Sequence, residues 1–303
     1  MATIIGNTGY QIMFYKRMLQ FSIYPITISV AVFLHWWLTR SGYPLIITTY
    51  LPVICAALFI HVLEQLNPYQ IHWLPSKADF IQDSLYMVMV QVLLPKAMSF
   101  AMAIYLVAWL NVNGSIWPVE ENLFLQAGLM LLCADFLRYW LHRGYHESIF
   151  MWRFHAIHHS PHKLYWLNVG RFHFTDKATQ YLLEMLPFIL LGVSEEVLAL
   201  YFVFYAINGF FQHCNIDIRL GWLNYLISGP ELHRWHHSIK VKESNNNYGN
   251  NLIIWDLLFG TYFLPRERSV KKLGLLNRLY PTSFLAQIKA PFIDNLDKYD
   301  KEK

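Results

Sequence analysis

The chain has 303 residues, of which 55% are hydrophobic and 17% aromatic, while only 15% are charged. Soluble domains carry about 25% charged residues, so this composition excludes a disordered protein and argues against an ordinary soluble enzyme. The net charge of +4 is modest, and no nucleic-acid-binding motif accompanies it. The three cysteines stand far apart, so the sequence offers neither a disulfide framework nor a cysteine zinc site.

The apolar residues are concentrated in runs long enough to cross a membrane. A bilayer core needs roughly 20 apolar residues in a helix. The runs that meet or approach this length are 21–38, 43–63, 84–110, 122–146 and a split pair at 181–193 and 197–212. Pro95 and Lys96 interrupt the third run, which fits either one kinked span or two shorter pieces. The sequence therefore predicts an all-α integral membrane helix bundle with about four to six spans or re-entrant helices.

The basic residues predict the orientation of this bundle. Lys16 and Arg17 precede the first run, whereas the loop 111–122 contains no Lys or Arg. By the positive-inside rule, we expect the N-terminus in the cytosol and this loop outside. The stretches expected on the cytosolic side are 142–177, 233–242 and the C-terminus, so the active site would lie on the cytosolic face. The first helix should remain in the protein, because no small-residue cleavage site follows it.

This pattern also suggests a division of the chain. We predict N-terminal membrane helices at 1–119, a histidine-rich catalytic region with a cytosolic helical cap at 120–265, and a cytosolic tail at 266–303.

Three histidine clusters dominate the second half of the sequence. They read His142-Arg-Gly-Tyr-His146, His155-Ala-Ile-His158-His159 and His233-Arg-Trp-His236-His237. Residues three or four positions apart share a helix face, so each cluster directs two or three imidazoles one way. Imidazole binds iron, zinc, copper and nickel. Eight clustered imidazoles exceed the three or four protein ligands of one zinc ion, so the sequence predicts two metal ions.

Two further histidines are candidate ligands. His213 ends an apolar run, and His173 lies in a stretch that could fold back over the clusters. The predicted ligands are His142, His146, His155, His158, His159, His173, His213, His233, His236 and His237. We interpret His35, His61 and His72 as structural, and His162 as a neighbour of the ligands or an exposed residue.

A polar stripe precedes the first cluster. Asp135, Arg138, His142 and His146 fall within about 80° of one another on a helix. Two interpretations of Asp135 stay open: an ion pair with Arg138, or a carboxylate that accepts a proton from a ligating imidazole.

Two residues downstream are also candidate neighbours of the ligands. We predict that Asn215 and Asp256 lie next to the metal ligands, with Asn215 or water completing the coordination if His173 does not.

These residues resemble a known family. The motifs Asp135-Phe-Leu-Arg-Tyr-Trp-Leu-His-Arg-Gly-Tyr-His146, Phe154-His-Ala-Ile-His-His-Ser160 and Pro230-Glu-Leu-His-Arg-Trp-His-His-Ser238 are similar to those of the fatty acid hydroxylase and sterol desaturase superfamily. The later Asn247-Tyr-Gly249, Trp255-Asp256 and Phe259-Gly-Thr-Tyr262 fit its bacterial sterol-desaturase-like and alkylglycerol-monooxygenase-like branches. The resemblance covers about residues 120–265.

Membership implies a specific chemistry. Two iron ions without haem would use O₂ as co-substrate to hydroxylate or desaturate a lipid. Electrons would come from an external donor of cytochrome b or ferredoxin-like type, and no catalytic residue separate from the metal centre is expected. The fatty acid 2-hydroxylase branch has a histidine where this chain has Gly209; we expect His173 to replace it as tenth ligand.

Two other functions stay open at this point. A zinc-dependent membrane hydrolase would also use histidine, but no Glu lies within a cluster as in His-Glu-x-x-His. A membrane protein that binds lipid or metal without catalysis would need no reactive centre at all.

Overall fold

The computed structural model describes the backbone of residues 2–105, 116–294 and 296. It describes the side chains of residues 14–102, 116–294 and 296. The longer helices are α1 (Ala2–Arg40), α2 (Leu45–Leu66), α3 (Lys77–Tyr86), α4 (Leu94–Tyr105), α5 (Leu123–Glu147), α6 (Ile149–His159), α7 (Phe174–Leu191) and α8 (Glu195–His213). Shorter helices follow: α9 (Pro230–His236), α10 (Val241–Ser244), α11 (Ile254–Phe259) and α12 (Phe284–Lys289). No strand occurs in the described ranges, which confirms the predicted all-α class.

Four helical segments are long and apolar enough to cross a membrane. They are Phe14–Arg40, Leu45–Leu66, Lys77–Met102 and Leu123–Glu147. These segments agree with the first four predicted runs and are typical of a membrane protein. Part of the loop predicted to lie outside, including Asn113 and Ser115, and the end of the predicted tail fall outside the described residues.

The third span is one continuous helical segment with an irregular centre. Between α3 and α4, Met87–Leu93 form a π-helix that ends two residues before Pro95. A proline lacks the N–H that would bond one turn back, and its ring crowds that carbonyl. Wider π turns relieve such crowding. The sequence alternative of two separate pieces is therefore wrong for the part of this run that the structure describes.

The apolar core lies where α1, α2 and α8 meet. Tyr24, Ile60, Val203, Ile207 and Phe211 are all buried there. The α7 and α8 helices form the split pair predicted from the sequence, separated by Gly192, which has a φ of +86°. A positive φ suits glycine because it has no β-carbon. The helix ends that carry the predicted ligands, those of α5 and α8, consequently face the same side of the bundle.

A cap of short helices and loops covers that side. Its attachment to the third span is polar and buried: Arg171 pairs with Asp83, with 2.7 Å from Nε to a carboxylate oxygen. In the same region the Tyr86 hydroxyl donates to Gln287 Oε1 at 2.8 Å. Gln287 belongs to α12, so part of the segment predicted as a tail is packed into the cap.

Candidate metal centre

The first two histidine clusters are joined by a tight helical turn. Ser148 follows α5 and also caps α6, where its Oγ accepts the Met151 N–H at 3.4 Å. Such a cap satisfies one of the free N–H groups at a helix start. The turn folds α6 back against the end of α5, so His142 and His146 face the histidines of α6.

The third cluster lies on the seven-residue helix α9. Pro230 occupies its first turn, where the missing N–H carries no penalty. His233 and His236 lie on the helix, and His237 is its C-terminal cap. Because His213 ends α8 nearby, four separate elements supply imidazoles to one buried region.

Nine histidines converge in two groups. The group of five contains His142, His146, His155, His159 and His236. The group of four contains His158, His213, His233 and His237. Within each group, one ring nitrogen of every member lies within 4.8 Å of those of the others, and all nine side chains are buried. The structure thus brings together all of the predicted ligands except His173.

Seven ring nitrogens of the two groups have no protein partner. Among the described residues, the buried nitrogens without a hydrogen bond are Nε2 of His146, His159, His213 and His236 and Nδ1 of His158, His233 and His237. A buried polar atom without a partner is costly, and seven of them in one place indicate an absent ligand. A metal ion at the centre of each group would satisfy them, so the residues fit two metals.

A close nitrogen pair in the group of five supports the same conclusion. His142 Nε2 lies 3.0 Å from His155 Nε2. Two nitrogens each bound at about 2.1 Å to one metal would be separated by about 3.0 Å at a right angle. One metal ion could therefore bind both nitrogens.

The two groups are direct neighbours. The rings of His159 and His237, one from each group, stack with centroids 4.4 Å apart. His158 also contacts His155 of the other group, at 5.3 Å between ring centroids. The arrangement therefore fits one dinuclear centre better than two separate mononuclear sites.

Hydrogen bonds on the outer nitrogens orient the rings. His155 Nδ1 donates to Asp176 at 2.8 Å, His213 Nδ1 to Asn168 Oδ1 at 2.7 Å, and His142 Nδ1 to the Tyr248 carbonyl at 2.8 Å. A proton on Nδ1 leaves Nε2 free to bind metal.

Burial keeps the imidazoles of the cap neutral. It lowers the pKa of His236 to about 3, and burial with neighbouring histidines lowers the pKa of His158, His159, His233 and His237 well below the usual value. Neutral imidazole is the form that binds metal.

The structure corrects the prediction for Asp135. This carboxylate contacts no histidine: it accepts the Asn251 N–H at 2.7 Å, the Asn251 side-chain amide at 2.9 Å, and the Leu252 N–H. The ion pair with Arg138 is also wrong, because Arg138 Nε lies 2.7 Å from Glu184. Asp135 instead anchors the loop that follows the third cluster.

A carboxylate that does contact a predicted ligand is Asp176, which was not predicted from the sequence. It is fully buried and lies in the first turn of α7. The contact with His155 joins residues 21 positions apart, beyond any helical spacing. The sequence gives little signal for it, because Asp176 is one of several polar residues on α7, together with Lys177, Gln180 and Glu184.

Asn215 and Asp256 contact backbone groups and not the histidines. Asn215 bonds with the backbone of Gln70 at 2.9 Å and touches no ligand. Asp256 accepts the N–H groups of Tyr248 and Gly249 at 2.8 and 2.7 Å. It therefore fixes the Tyr248 carbonyl that orients His142. A β-carbon at Gly249 would lie 2.2 Å from a backbone oxygen, so this loop requires glycine.

The structure does not bring His173 to either group. Its Nδ1 accepts the Thr175 N–H at 3.0 Å and caps α7, while Nε2 donates to the Ile288 carbonyl at 3.2 Å. With both nitrogens engaged, His173 has no free lone pair for a metal, and the expectation of a tenth ligand is corrected. Gly209 lines a cavity that borders the histidines. The histidines interpreted as structural, His35, His61 and His72, also lie outside both groups.

A cavity of about 650 Å³ connects the histidines with the membrane helices. Its inner end is formed by His142, His155, His158 and His233. Its walls are mostly apolar and come from α2, α4, α8 and the π-helical segment. Ile46, Ile54 and Leu58 of α2 line the cavity and are also exposed on the outer face. The cavity is therefore open toward the lipid side of the bundle.

Sequence comparisons agree with this architecture. Residues 127–261 match the fatty acid hydroxylase family. An ornithine lipid hydroxylase from Rhizobium tropici is 38% identical over 239 residues, which cover 77% of this chain and 72% of that protein. No solved structure matches the chain.

Two other groups of relatives match smaller parts. Human alkylglycerol monooxygenase is 30% identical over 161 residues, covering 53% of this chain and 35% of that protein. A Delta(7)-sterol 5(6)-desaturase from Aspergillus fumigatus is 30% identical over 183 residues, covering 58% of this chain and 49% of that protein. The chain therefore belongs to the fatty acid hydroxylase family and, like these hydroxylases, monooxygenases and desaturases, is an oxidoreductase.

Proposed function

We propose that the chain is an O₂-dependent membrane oxygenase that holds one iron ion in each histidine group and hydroxylates or desaturates a lipid. The observation that carries this proposal is the position of nine convergent, buried imidazoles at the inner end of an apolar cavity open to the membrane side. When bound, the iron pair would supply the activation of O₂ and the oxidation of a C–H bond.

The chain's own residues hold and shield this centre. Asp176, Asn168 and the Tyr248 carbonyl keep three imidazoles in the tautomer that directs Nε2 inward. Phe172 stacks on His158 with ring centroids 4.2 Å apart and also lines the cavity. An apolar wall at this point excludes water and leaves room for a hydrocarbon chain beside the histidines.

The ligand set supports iron over zinc. Structural and catalytic zinc sites are almost always tetrahedral, with three or four protein ligands. The group of five histidines exceeds that number. A zinc-dependent hydrolase would also need a general base, and the histidine clusters of this chain contain no Glu.

The relatives guide the choice of substrate and partner. The relative that the chain matches over 72% of its length is named as an ornithine lipid hydroxylase, so ornithine lipid is the first substrate to test. We further propose that electrons come from a cytochrome b or ferredoxin-like donor, and that the centre faces the cytosol as the distribution of basic residues predicts.

Anaerobic reconstitution tests the proposal. The protein, purified in detergent without metal, is loaded with ferrous iron and its iron content measured. It is then exposed to isotope-labelled O₂ with a chemical reductant and ornithine lipid or total membrane lipids. We expect two irons per chain, and a lipid product that gains a labelled oxygen atom or loses two hydrogen atoms. Zinc at full occupancy with O₂-independent hydrolysis would overturn the proposal.

A matched pair of histidine variants controls the experiment. His158→Ala removes a member of the group of four, whereas His72→Ala removes an exposed histidine outside both groups. His158→Ala should lose turnover and bind less iron, while His72→Ala should behave as the wild type. Full turnover of His158→Ala would contradict a ligand role.

A further inference from the structure

The end of the cavity far from the histidines has a different character. Phe202, Tyr205 and Tyr50 line that end. Phe202 lies 11 residues before His213 on α8, which corresponds to about 17 Å along the helix axis. Tyr50 packs against Phe202 with ring centroids 5.6 Å apart, so α2 and α8 contribute to the same level. We call this level the distal end.

One lysine lines the distal end. Lys96 of α4 borders the cavity, and its Nζ lies 6.0 Å from the centre of the Tyr50 ring. The ion pairs in the described part of the chain include none with Lys96. The Lys96 side chain is exposed and borders the cavity, so it offers a positive charge there with which no described carboxylate pairs.

A second lysine reaches the cavity through a tyrosine. Lys177 is 4% exposed, and its Nζ donates to the Tyr205 hydroxyl at 2.9 Å. Its two nearest acidic neighbours in the α7 sequence are already engaged, Asp176 by His155 and Glu184 by Arg138. The ammonium polarises the phenol, which makes the Tyr205 O–H a stronger hydrogen-bond donor.

Together these groups form a cationic and donor-rich end on an apolar cavity. The exposed Lys96 borders the cavity together with Tyr50 and Tyr205, and the buried Lys177 donates to the Tyr205 hydroxyl. From this juxtaposition we infer that the distal end binds the acidic group, carboxylate or phosphate, of a lipid whose chain extends to the histidines. The inference deepens the proposed function, on which it rests, by naming the class of substrate and its orientation.

Equilibrium binding to the metal-free protein tests this inference without relying on turnover. Radiolabelled palmitate, hexadecyl phosphate and methyl palmitate are compared, because they share a 16-carbon chain and differ in the charged group. The wild type should bind at least one of the two anions about 10- to 100-fold more tightly than the ester, the range expected for hydrogen bonds to a charged group. Preference for palmitate or for the phosphate identifies which acid the site takes.

Variants locate the charge that matters. Lys96→Met and Tyr205→Phe should each weaken binding of the preferred anion about tenfold or more and leave the ester unchanged, while Lys96→Arg should retain most of the affinity. Lys271→Met, an exposed lysine outside the cavity lining, is the control. Lys177→Met is informative only if the variant folds, because Lys177 is buried. Tyr205→Phe removes the hydroxyl that Lys177 contacts and so tests the same interaction.

The outcomes separate this inference from the proposed function. Ester bound as tightly as both anions, or anion binding unchanged in Lys96→Met and Tyr205→Phe, would overturn the inference even if the enzyme oxidises lipids. Charge-dependent binding in a protein without oxygenase activity would support the inference and remove the proposed function.

Discussion

The contact between Asp176 and His155 gives a graded prediction for metal affinity. Asp176 accepts His155 Nδ1 at 2.8 Å and the Gln180 side-chain amide at 2.6 Å, and it is fully buried. Asp176→Leu removes both acceptors in a side chain of similar size. Without the carboxylate, the His155 proton is free to move to Nε2, the nitrogen that should bind metal. Loss of such a partner lowers metal affinity about 10- to 100-fold, or about 1.4 to 2.8 kcal/mol.

The asparagine variant should fall between the wild type and the leucine variant. In Asp176→Asn the amide oxygen can still accept from His155 if Gln180 turns its own amide to accept from the new NH₂ group. The Gln180 Oε1 has no partner in the described structure, so this rotation breaks no bond of that oxygen. Only the negative charge would then be lost, and the fall in metal affinity should be smaller than in Asp176→Leu.

Competition with a chelator, followed spectroscopically, measures these affinities. Asp217→Leu is the matched control, because Asp217 accepts a glutamine amide from Gln20 at 2.6 Å and touches no histidine. Metal affinity in Asp176→Leu equal to that of the wild type, in a protein that is folded by thermal unfolding, would refute the role assigned to the carboxylate.

Three other variants test the packing around the centre. His173→Ala should keep its metal content, because His173 lies outside both groups. The variant should lose about 0.5 to 2 kcal/mol of stability, because His173 caps a helix. Loss of one metal ion would show that His173 is a ligand. Gly249→Ala should lower the free energy of unfolding by about 1 to 3 kcal/mol, whereas Gly128→Ala, with open space around it, should be neutral or slightly stabilising; equal effects would contradict the close approach at Gly249. Arg138→Met should lower the free energy of unfolding by about 3 to 5 kcal/mol, because it leaves Glu184 buried without its partner. Adding Glu184→Gln should restore part of this stability, as measured by thermal unfolding. No restored stability would mean that loss of the ion pair is not the cause.

The two histidine groups were predictable because their signal is local. His142 and His146 share a helix face by their spacing of four, and His155 and His159 repeat it one helix later. The spans were predictable for a similar reason, since the length of an apolar run reports directly on bilayer thickness. Both signals need only one segment of the chain at a time.

The partners of the ligands could not be predicted, because they depend on contacts between distant segments. Asp176 meets His155 from 21 positions away, and Asn168 meets His213 from 45 positions away. Asp135 lies on the same stripe as His142 but extends toward Asn251, 116 positions along the chain. A helical wheel gives the direction of a side chain and not the element that packs against it. The spacing therefore predicted Asp135 beside the histidines and gave no indication of Asp176.

The unequal size of the two groups leads to a last prediction about metal stoichiometry. His146 belongs to the group of five, so His146→Ala leaves four imidazoles around that position. His213 belongs to the group of four, so His213→Ala leaves only three, and it also frees Asn168, which accepts the His213 proton at 2.7 Å. Since each imidazole adds to affinity, His213→Ala should retain one metal per chain after dialysis against a mild chelator, whereas His146→Ala should retain close to two. Metal analysis by mass spectrometry gives the ratio directly. Equal retention in the two variants would contradict a division of the nine imidazoles into five and four between the metals, because that division predicts unequal losses.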